Sequence, residues 1–363
     1  MSERMFIQGN EAVGWGALCA ECRAFFGYPI TPQNEVTEWF AREFPKRGRV
    51  FIQSQSETGS INMVYGAAAG GVRAMTSTSS PGWGLMQETM SHLASAELPC
   101  VVVLVSRGGP GGGSVRHSQM DYLSATRGGY GGYKNIVLAP ASVQETCDLV
   151  QLAFHLADKY SNPVVVLSDG LIGQLAELVE VRTIDFGPLP TKEWALLGKA
   201  RHADGKKRLV HSAPGILPRP SLYHNYGSYF QHVSKRYHMM QQAETRCEEY
   251  LVDDADILVV AYGYVARSAK QAVRMARAKG LAAGLVRPVT LWPFPGGIIG
   301  KKARLGARFL VVEDSLGQMV DDVQAAAECR DRVHLLGVMA RHLPTDGGMI
   351  FPERILEEVE SLQ

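Results

Sequence analysis

The sequence predicts an α/β protein whose main domain is a doubly wound parallel sheet. Between residue 9 and about residue 181, short apolar runs alternate with segments of helical periodicity. This alternation is typical of parallel strands that helices cover on both faces. Each apolar run ends in a polar or glycine-containing turn. Because parallel strands end at the same edge of a sheet, we expect these turns to lie together there.

The first domain is predicted to contain five strands and five helices. The strands are residues 48–53, 72–76, 100–106, 135–139 and 163–168. The helices are residues 11–25, 33–44, 57–70, 82–94 and 143–159.

Two changes in the pattern divide the chain into three parts. Residues 1–185 form the first domain, and residues 186–252 form a connector that prolines interrupt. The end of the connector, residues 234–252, has helical spacing and is predicted as a helix. Residues 253–363 form a smaller second α/β domain, with strands at 257–261, 281–286 and 309–313 and a helix at 265–278.

Composition argues against two classes of partner. The chain has 363 residues, and its 37 Lys and Arg balance 36 Asp and Glu, so it offers no basic field for nucleic acid. Its apolar runs are far shorter than the roughly 20 residues that cross a bilayer. Since the start, Met-Ser-Glu-Arg, is not a signal peptide, we expect no membrane contact and a cytoplasmic location.

Six cysteines are scattered along the chain, and only Cys19 and Cys22 form a C-x-x-C pair. The pair lies in an apolar helical pattern, so core packing is favoured over a metal or redox site, which needs more thiolates. Any iron–sulfur cluster is therefore expected on another chain.

Glu57 is the best candidate for chemistry. It lies between an apolar strand and a helix of small residues, at the edge where open α/β sheets bind ligands. A shielded carboxyl there suits proton exchange with a cofactor nitrogen. The alternative is a solvated first-turn glutamate that the helix dipole favours.

Thr31 and Arg107 are candidates for binding an anion. Pro29 and Pro32 restrict the backbone on either side of Thr31, although a helix N-cap is an alternative role for this threonine. Arg107 begins a glycine-rich loop after the most apolar strand, and an arginine there can bind a carboxylate through two hydrogen bonds. The alternative is a solvated arginine on a flexible loop. The loop is neither a Walker A motif nor a G-x-G-x-x-G fingerprint.

For two further segments the sequence allows either a functional or a structural role. The hydroxyl-rich run 76–80 either lines a polar cofactor pocket or serves turns and helix capping. His117 and Asp121 follow the glycine loop. The histidine either assists proton transfer or is exposed, and the sequence fixes no partner for it.

Several segments together resemble the α subunit of 2-oxoacid:ferredoxin oxidoreductases. In the first domain they are Tyr28-Pro-Ile-Thr-Pro, Gln55-Ser-Glu-Thr-Gly, Thr78-Ser-Ser-Pro-Gly, Ser106-Arg-Gly-Gly-Pro and Leu138-Ala-Pro-Ala-Ser-Val-Gln-Glu. In the second they are Val286-Arg-Pro-Val-Thr-Leu-Trp-Pro-Phe-Pro and Val311-Val-Glu-Asp-Ser-Leu-Gly-Gln-Met. The segments Thr31-Pro-Gln-Asn-Glu-Val and Ala96-Glu-Leu-Pro-Cys look most like the branched-chain, 2-oxoisovalerate type, with the 2-oxoglutarate type second.

The resemblance implies a pyrimidine-binding domain of the thiamine-diphosphate type and a second domain like the C-terminal domain of transketolase. It implies oxidative decarboxylation of a 2-oxoacid with coenzyme A and reduction of ferredoxin. By resemblance, Glu57 hydrogen-bonds N1′ of the aminopyrimidine and so assists loss of the thiazolium C2 proton. Pro29 matches a position beside the pyrimidine ring, and Thr31 and Arg107 match residues that bind the substrate.

The resemblance also implies partner chains. The family's diphosphate and Mg²⁺ signature is missing, since Ser168-Asp-Gly-Leu has no asparagine pair after it. The family places that signature on a β subunit, and iron–sulfur clusters are expected only on partners such as γ and ferredoxin-like subunits. We therefore expect this chain to be inactive alone. The alternative of another class is a non-catalytic docking subunit.

The sequence departs from the family pattern at two places. The loop residues Val115-Arg-His differ from those expected there, and Asp314-Ser replaces the more usual Met-Asn. If Arg116 and His117 reach the pocket, they favour a dicarboxylate, which keeps 2-oxoglutarate as the alternative substrate.

Overall fold

The computed structural model describes residues 3–198, 208–214, 222–338 and 349–363. The strands are β1 (Glu3–Gln8), β2 (Ala24–Gly27), β3 (Val50–Gln53), β4 (Ala74–Ser79), β5 (Val101–Ser106), β6 (Ile136–Leu138), β7 (Val164–Asp169), β8 (Ala176–Val181), β9 (Cys247–Tyr250), β10 (Ile257–Val260), β11 (Ala283–Pro288), β12 (Thr290–Trp292), β13 (Arg308–Val312) and β14 (Val333–Leu336). The helices are α1 (Gly9–Cys19), α2 (Asn34–Glu43), α3 (Glu57–Ala69), α4 (Ser80–Ser95), α5 (Tyr122–Arg127), α6 (Val143–Tyr160), α7 (Gly170–Gln174), α8 (Tyr226–Ala243), α9 (Gly263–Ala278), α10 (Gly296–Arg304), α11 (Met319–Ala327) and α12 (Pro352–Ser361).

The largest sheet has seven strands in the order β12-β6-β7-β5-β4-β2-β3. Its strands are parallel except for β12, which pairs antiparallel with β6. The order reverses at β2, because β3 lies on one side of it and β4 on the other. Open α/β sheets bind ligands beyond the carboxyl ends of the strands at such a switch point.

A second sheet has five strands in the order β14-β13-β10-β11-β9, and β1 and β8 form a separate antiparallel pair. In the five-stranded sheet, β9 runs antiparallel to β11 and the other pairs are parallel. Mainly parallel sheets covered by helices confirm the α/β class that the alternating pattern predicts.

The core of the first sheet lies on both of its faces, as β5 shows. All six residues of this strand are buried. Val102 and Leu104 pack into one apolar cluster, whereas Val101, Val103 and Val105 pack into the other. Successive side chains of a strand point to opposite faces, so a continuous apolar run is what a doubly covered strand requires.

The predicted helix 11–25 is wrong at its end. Helix α1 stops at Cys19, and Ala24–Gly27 forms β2, which lies between β4 and the edge strand β3 of the first sheet. Phe25 and Phe26 pack into opposite clusters, as neighbouring residues of a strand do. Four residues are too few for their alternation to stand out from the helical pattern that precedes them.

The predicted helix 234–252 is also wrong in part. Helix α8 ends at Ala243, and Cys247–Tyr250 forms β9, an edge strand of the second sheet. In β9, Glu248 forms ion pairs with Lys270 and Arg287. Charged side chains therefore help to hold this strand in place, and they do not produce the apolar alternation from which a strand is predicted.

The remaining predicted strands and helices are found, with ends shifted by a few residues. Two stretches of the predicted connector, 199–207 and 215–221, lie outside the described residues. In the described ranges, no helix combines the length and the apolar character that a bilayer crossing requires.

Candidate active site

Four segments that the sequence singled out follow four neighbouring strands of the first sheet. Thr31 follows β2, Glu57 follows β3, Ser80 follows β4 and Arg107 follows β5 directly. These strands lie in the order β5-β4-β2-β3, and neighbouring strands are only about 4.8 Å apart. The four segments therefore line one edge of the sheet around the switch point.

Glu57 is the first residue of α3 and is buried, with 7% of its surface exposed. The Ser56 side chain caps the helix by accepting a hydrogen bond from the Gly59 N–H at 3.1 Å. Glu57 does lie in the first turn, where the helix dipole favours an acid, but the prediction that its side chain is solvated there is wrong. Glu57 faces Gly82 on α4, where a Cβ atom would lie 2.7 Å from Oε1 of the glutamate. Only glycine at position 82 leaves room for the carboxyl group.

The Glu57 carboxyl group makes no hydrogen bond or ion pair within the part of the chain that the structure describes. Its place at the start of α3 puts the carboxyl group beside the free N–H groups and the positive end of the helix dipole, which favour an acid there. The group is therefore available to a donor that is not part of this chain.

Arg107 is held by the loops that follow two neighbouring strands. Its Nη1 donates to the Thr31 carbonyl at 2.7 Å, and its Nη2 donates to the Gly112 carbonyl at 3.0 Å. Its backbone N–H donates to Oγ of Ser80 at 3.0 Å. The guanidinium is thus held by the protein although it is still partly exposed. The buried Nε has no acceptor among the described residues, so one guanidinium donor is unused.

Thr31 does not cap α2. The helix begins at Asn34 with Gln33 as its N-cap, and the Thr31 hydroxyl only accepts a long hydrogen bond of 3.5 Å from Asn34. Thr31 and Pro29 are both exposed in the loop after β2. The structure thus brings Thr31 and Arg107 into direct contact, while no described hydrogen bond joins Pro29 or Glu57 to them.

The glycine-rich loop is closed by its own backbone. The Ser114 N–H donates to the Gly108 carbonyl at 2.7 Å, and the Gly108 N–H donates to the Arg116 carbonyl at 3.1 Å. Gly113 has a positive φ of 57°, and a Cβ there would lie 1.8 Å from the Gly108 carbonyl oxygen. The fold of the loop places His117 opposite Arg107 in an antiparallel bridge.

Asp121 is a site residue whose role the sequence did not show. It accepts hydrogen bonds from Ser106 Oγ at 2.7 Å and from Ser80 Oγ. Burial raises the pKa of Asp121, against the lowering effect of these two hydroxyls. Asp121 thereby links the ends of β4 and β5, and its place just past the glycine loop was the only signal available.

Asp169 lies in the segment Ser168-Asp-Gly-Leu, which lacks the rest of the diphosphate signature. Its carboxylate accepts hydrogen bonds from the protein itself. Its Oδ1 accepts from the Leu171 and Ile172 N–H groups at 3.0 and 2.9 Å, and its Oδ2 accepts from the Tyr264 N–H at 3.2 Å. Burial raises the pKa of Asp169 to about 6. The described ranges contain no group of three acidic, His or Cys residues arranged for a metal ion.

His117 is not exposed, so that alternative is wrong. Only 14% of its side chain is accessible, and its Nδ1 lies 2.7 Å from Oδ2 of Asp314 in the second domain. This hydrogen bond raises the pKa of His117. The two residues are 197 positions apart, and no pattern within one segment could have joined them.

Comparisons with protein families cover most of the chain. Residues 15–251 match the family described as "Pyruvate flavodoxin/ferredoxin oxidoreductase, thiamine diP-bdg". Residues 255–355 match "Pyruvate:ferredoxin oxidoreductase core domain II".

Similar curated proteins carry two related names. The ketoisovalerate oxidoreductase subunit VorB of Methanothermobacter thermautotrophicus is 46% identical over 98% of this chain and 97% of its own length. VorB of Methanothermobacter marburgensis is 47% identical over 93% of both chains. The 2-oxoglutarate synthase subunit KorA of the same organism is 38% identical over 100% of both.

Two solved structures are similar in fold. A 2-oxoglutarate:ferredoxin oxidoreductase from Magnetococcus marinus, with 2-oxoglutarate, coenzyme A and succinyl-CoA bound, superposes with a TM-score of 0.86 at 27% identity. The match covers all of this chain but 65% of that longer one. A split-gene transketolase superposes with a TM-score of 0.59 at 16% identity over 99% of this chain and 98% of that one, which supports the fold alone.

Proposed function

The chain belongs to the 2-oxoacid:ferredoxin oxidoreductase family, and from this premise we propose that its Glu57 activates thiamine diphosphate in a branched-chain member of that family. The chain is an oxidoreductase subunit of a multi-subunit enzyme, and its larger domain is of the thiamine-diphosphate-binding type. The family resemblance read from the sequence motifs, with its branched-chain type, is confirmed by the VorB relatives.

The proposal depends on one observation, which is that the Glu57 carboxyl group is buried and has no hydrogen-bond partner among the described residues. The group is accommodated by a glycine. Such a group fits a ring nitrogen that shares a proton with it, as the N1′ atom of an aminopyrimidine does. When bound, thiamine diphosphate supplies the carbon nucleophile that attacks the 2-oxo carbon and accepts the electron pair left by CO₂. Glu57 holds the proton at the pyrimidine nitrogen.

Arg107 and Thr31 form the substrate end of the site. Arg107 is fixed by two carbonyl acceptors and still has its Nε unused, so it can attract the carboxylate of a 2-oxoacid. Thr31, whose backbone carbonyl accepts from that guanidinium, is exposed, and its hydroxyl proton is free to donate to the substrate. Pro29 shapes the same loop beside the pyrimidine ring.

The rest of the cofactor site belongs to a partner in this proposal. Asp169 is engaged by backbone N–H groups, which fits the absence of the diphosphate signature from this chain. Following the family resemblance, we assign the diphosphate and its Mg²⁺ to a β subunit. Iron–sulfur clusters on partner chains, with γ and ferredoxin-like subunits, carry electrons to ferredoxin, and coenzyme A accepts the acyl group. The cytoplasmic location stays a prediction.

The preferred substrate is proposed to be a branched-chain 2-oxoacid such as 2-oxoisovalerate. Of the two basic loop residues that would favour a dicarboxylate, His117 is bound to Asp314, which leaves Arg116 alone. The alternative, 2-oxoglutarate, is supported by the more distant KorA relatives. Initial rates of the reconstituted complex with 2-oxoisovalerate, 2-oxoglutarate, pyruvate and aryl pyruvates test this choice, and a higher kcat/KM for 2-oxoglutarate would reverse it.

The Glu57→Gln variant tests the proposed role of the carboxyl group. Loss of a positioned acid or base lowers rates by about 10² to 10⁴. We therefore expect at least a roughly 100-fold fall in coenzyme-A-dependent ferredoxin reduction by the reconstituted complex. The exposed Glu88 on α4 provides a matched control, Glu88→Gln, that keeps full activity. Retained turnover in Glu57→Gln, with the complex intact, would reject the proposal.

A further inference from the structure

Two sites where this sequence departs from the family pattern contact each other. His117 lies at the end of the glycine-rich loop, and Asp314 lies between β13 and α11 in the second domain. Their side chains meet at 2.7 Å, and Asp314 is 4% exposed. The loop that carries the proposed substrate-binding arginine is therefore bonded to the second domain.

Asp314 is held firmly on the side of the second domain. The Tyr264 hydroxyl, from the start of α9, donates to the same Oδ2 at 2.7 Å. The Tyr264 and His117 rings pack edge to face with their centroids 4.9 Å apart. The imidazole thus contacts two side chains of the second domain. Both are buried and hydrogen-bonded to each other, so they stay with the second domain if the loop moves.

Gln119 repeats the attachment two residues further on. It is 1% exposed, and its side chain donates to the Tyr262 carbonyl at 2.9 Å and accepts from the Asp314 N–H at 2.9 Å. Its own N–H donates to the Asp314 carbonyl at 2.8 Å. Gly263 has a positive φ of 59°, and a Cβ there would lie 2.8 Å from the Gln119 amide nitrogen, so the two domains are tightly packed at this point.

The attachment reaches the substrate end through the backbone. His117 is paired with Arg107 in an antiparallel bridge, and the Arg107 guanidinium donates to the Thr31 carbonyl. A continuous set of contacts therefore runs from Asp314 through His117 and Arg107 to Thr31. Because Arg107 has only two carbonyl acceptors and an unused Nε, its orientation depends on where the loop is held.

We propose that His117 and Asp314 are positioning residues that set the orientation of Arg107 for the 2-oxoacid substrate. Neither residue needs to touch the substrate. The proposal rests on the proposed function of Arg107, but its geometric part, the attachment of the loop to the second domain, does not. Loss of the pair lets the part of the loop between Arg107 and His117 move, while Gln119 stays bonded to the second domain. This movement weakens binding of the 2-oxoacid and leaves the coenzyme A step unaffected.

The first test is a double-mutant cycle in the reconstituted complex. We expect His117→Ala and Asp314→Ala each to raise the KM for the 2-oxoacid about tenfold, with kcat changed less than about twofold and the KM for coenzyme A unchanged. Because the residues act as a pair, the double variant should be no worse than either single one. Additive effects, or equal effects on both KM values, would overturn the proposal.

A matched control separates positioning from general stabilisation of the interface between the domains. Arg287 on β11 forms two hydrogen bonds with Glu145 on α6, at 2.8 and 2.9 Å, and neither residue belongs to the glycine-rich loop. Glu145→Gln weakens this second interdomain ion pair and should leave the KM for the 2-oxoacid at its wild-type value. If Glu145→Gln raises that KM as much as His117→Ala does, His117 has no special role.

The pH profile gives a readout that a merely structural contact would not move. The charged and titratable groups facing His117 are Asp314, Asp169, Tyr264 and, on its own loop, Arg116. The Asp314 hydrogen bond raises the pKa of His117, so the charged pair is complete below that pKa and is lost as pH rises through it. The KM for the 2-oxoacid should therefore rise on the alkaline side in the wild type. Asp314→Asn should move this rise to lower pH, and an unchanged profile would contradict the proposal.

Amide hydrogen exchange of the substrate-free complex tests the attachment without any turnover. The N–H groups of Gly108 and Ser114 should exchange at least about tenfold faster in His117→Ala than in the wild type or in Glu145→Gln. If exchange rates are equal, the attachment is wrong. If exchange changes as expected but the wild-type complex oxidises no 2-oxoacid, the attachment stands and the proposed function fails.

Discussion

Two glutamates at strand-to-helix junctions are both buried but differ in their hydrogen bonds. Glu57 starts α3 after β3 in the first sheet, and Glu313 follows β13 before α11 in the second. They are 7% and 0% exposed. Burial alone therefore does not distinguish a structural acid from one that a ligand uses.

The hydrogen bonds do distinguish them. Oε2 of Glu313 accepts from the Ser315 hydroxyl at 2.7 Å and from the Gln318 and Met319 N–H groups at 3.0 Å, and Oε1 accepts from the Val320 N–H at 3.0 Å. Glu313 thus binds the N–H groups at the start of α11, where a carboxylate is most favourable. Glu57 has no such donors among the described residues. This difference is what supports the proposal that Glu57 binds a donor from outside the chain.

The largest expected effect on stability is at Glu313. In Glu313→Gln, an amide NH₂ replaces one acceptor oxygen and faces backbone N–H donors, which costs about 3 kcal/mol of the free energy of unfolding. Chemical denaturation of the complex measures this cost, and the activity of the folded fraction should stay at the wild-type level. Glu57→Gln should cost less than about 1 kcal/mol. The reverse ranking would break the comparison.

Two arginines extend the comparison to cations. Arg287, near the end of β11, donates from all three side-chain nitrogens to Glu145 and Glu248, whereas Arg107 has an unused Nε. In our proposal Arg107 donates a charged hydrogen bond to the substrate, worth about 2 kcal/mol, so the KM for the 2-oxoacid should rise roughly 30-fold in Arg107→Ala. The KM for coenzyme A should not change. Arg287→Ala should lower stability without affecting either KM, and equal KM effects in Arg107→Ala would count against its assignment.

The smallest effect we predict is at Gly82. A Cβ there would lie 2.7 Å from Oε1 of Glu57 and 2.2 Å from Oγ1 of Thr78, so Gly82→Ala must displace the carboxyl group. A misplaced catalytic group costs up to about 100-fold, and we expect a roughly tenfold fall in kcat. Gly84→Ala, two residues along the same helix, meets nothing described within 4 Å and is the matched control. Equal activity of both variants would show that the shape of the pocket around Glu57 is not required.

Much of the first sheet could be predicted, because its central strands are long and buried on both faces. The runs that became β5 and β7 are apolar over five or four consecutive residues and end in polar turns, so both their type and their carboxyl ends were evident. This placed Glu57 and Arg107 at one edge of the sheet. The four-residue β2 was missed because its residues continue the helical pattern of α1 and are too few to show a period of two against it.

The contacts that complete the site could not be predicted, for two physical reasons. Gly82 is required by the space that Glu57 occupies, and a sequence pattern does not show which side chain approaches a glycine. The pair of His117 and Asp314 joins residues 197 positions apart, whereas local patterns reach only a few turns of helix. In the same way, the four donors of Glu313 come from the loop after β13 and the start of α11, and no local sequence pattern shows that they surround the carboxylate.

The most direct test of the central claim is the rate at which the C2 proton of bound thiamine diphosphate exchanges with solvent. This rate can be followed by NMR after rapid quenching of the reconstituted complex, without substrate. The wild type and Glu313→Gln should exchange this proton at the same rate, and Glu57→Gln should exchange it at least about 100-fold more slowly. Exchange at the wild-type rate in Glu57→Gln would contradict the account.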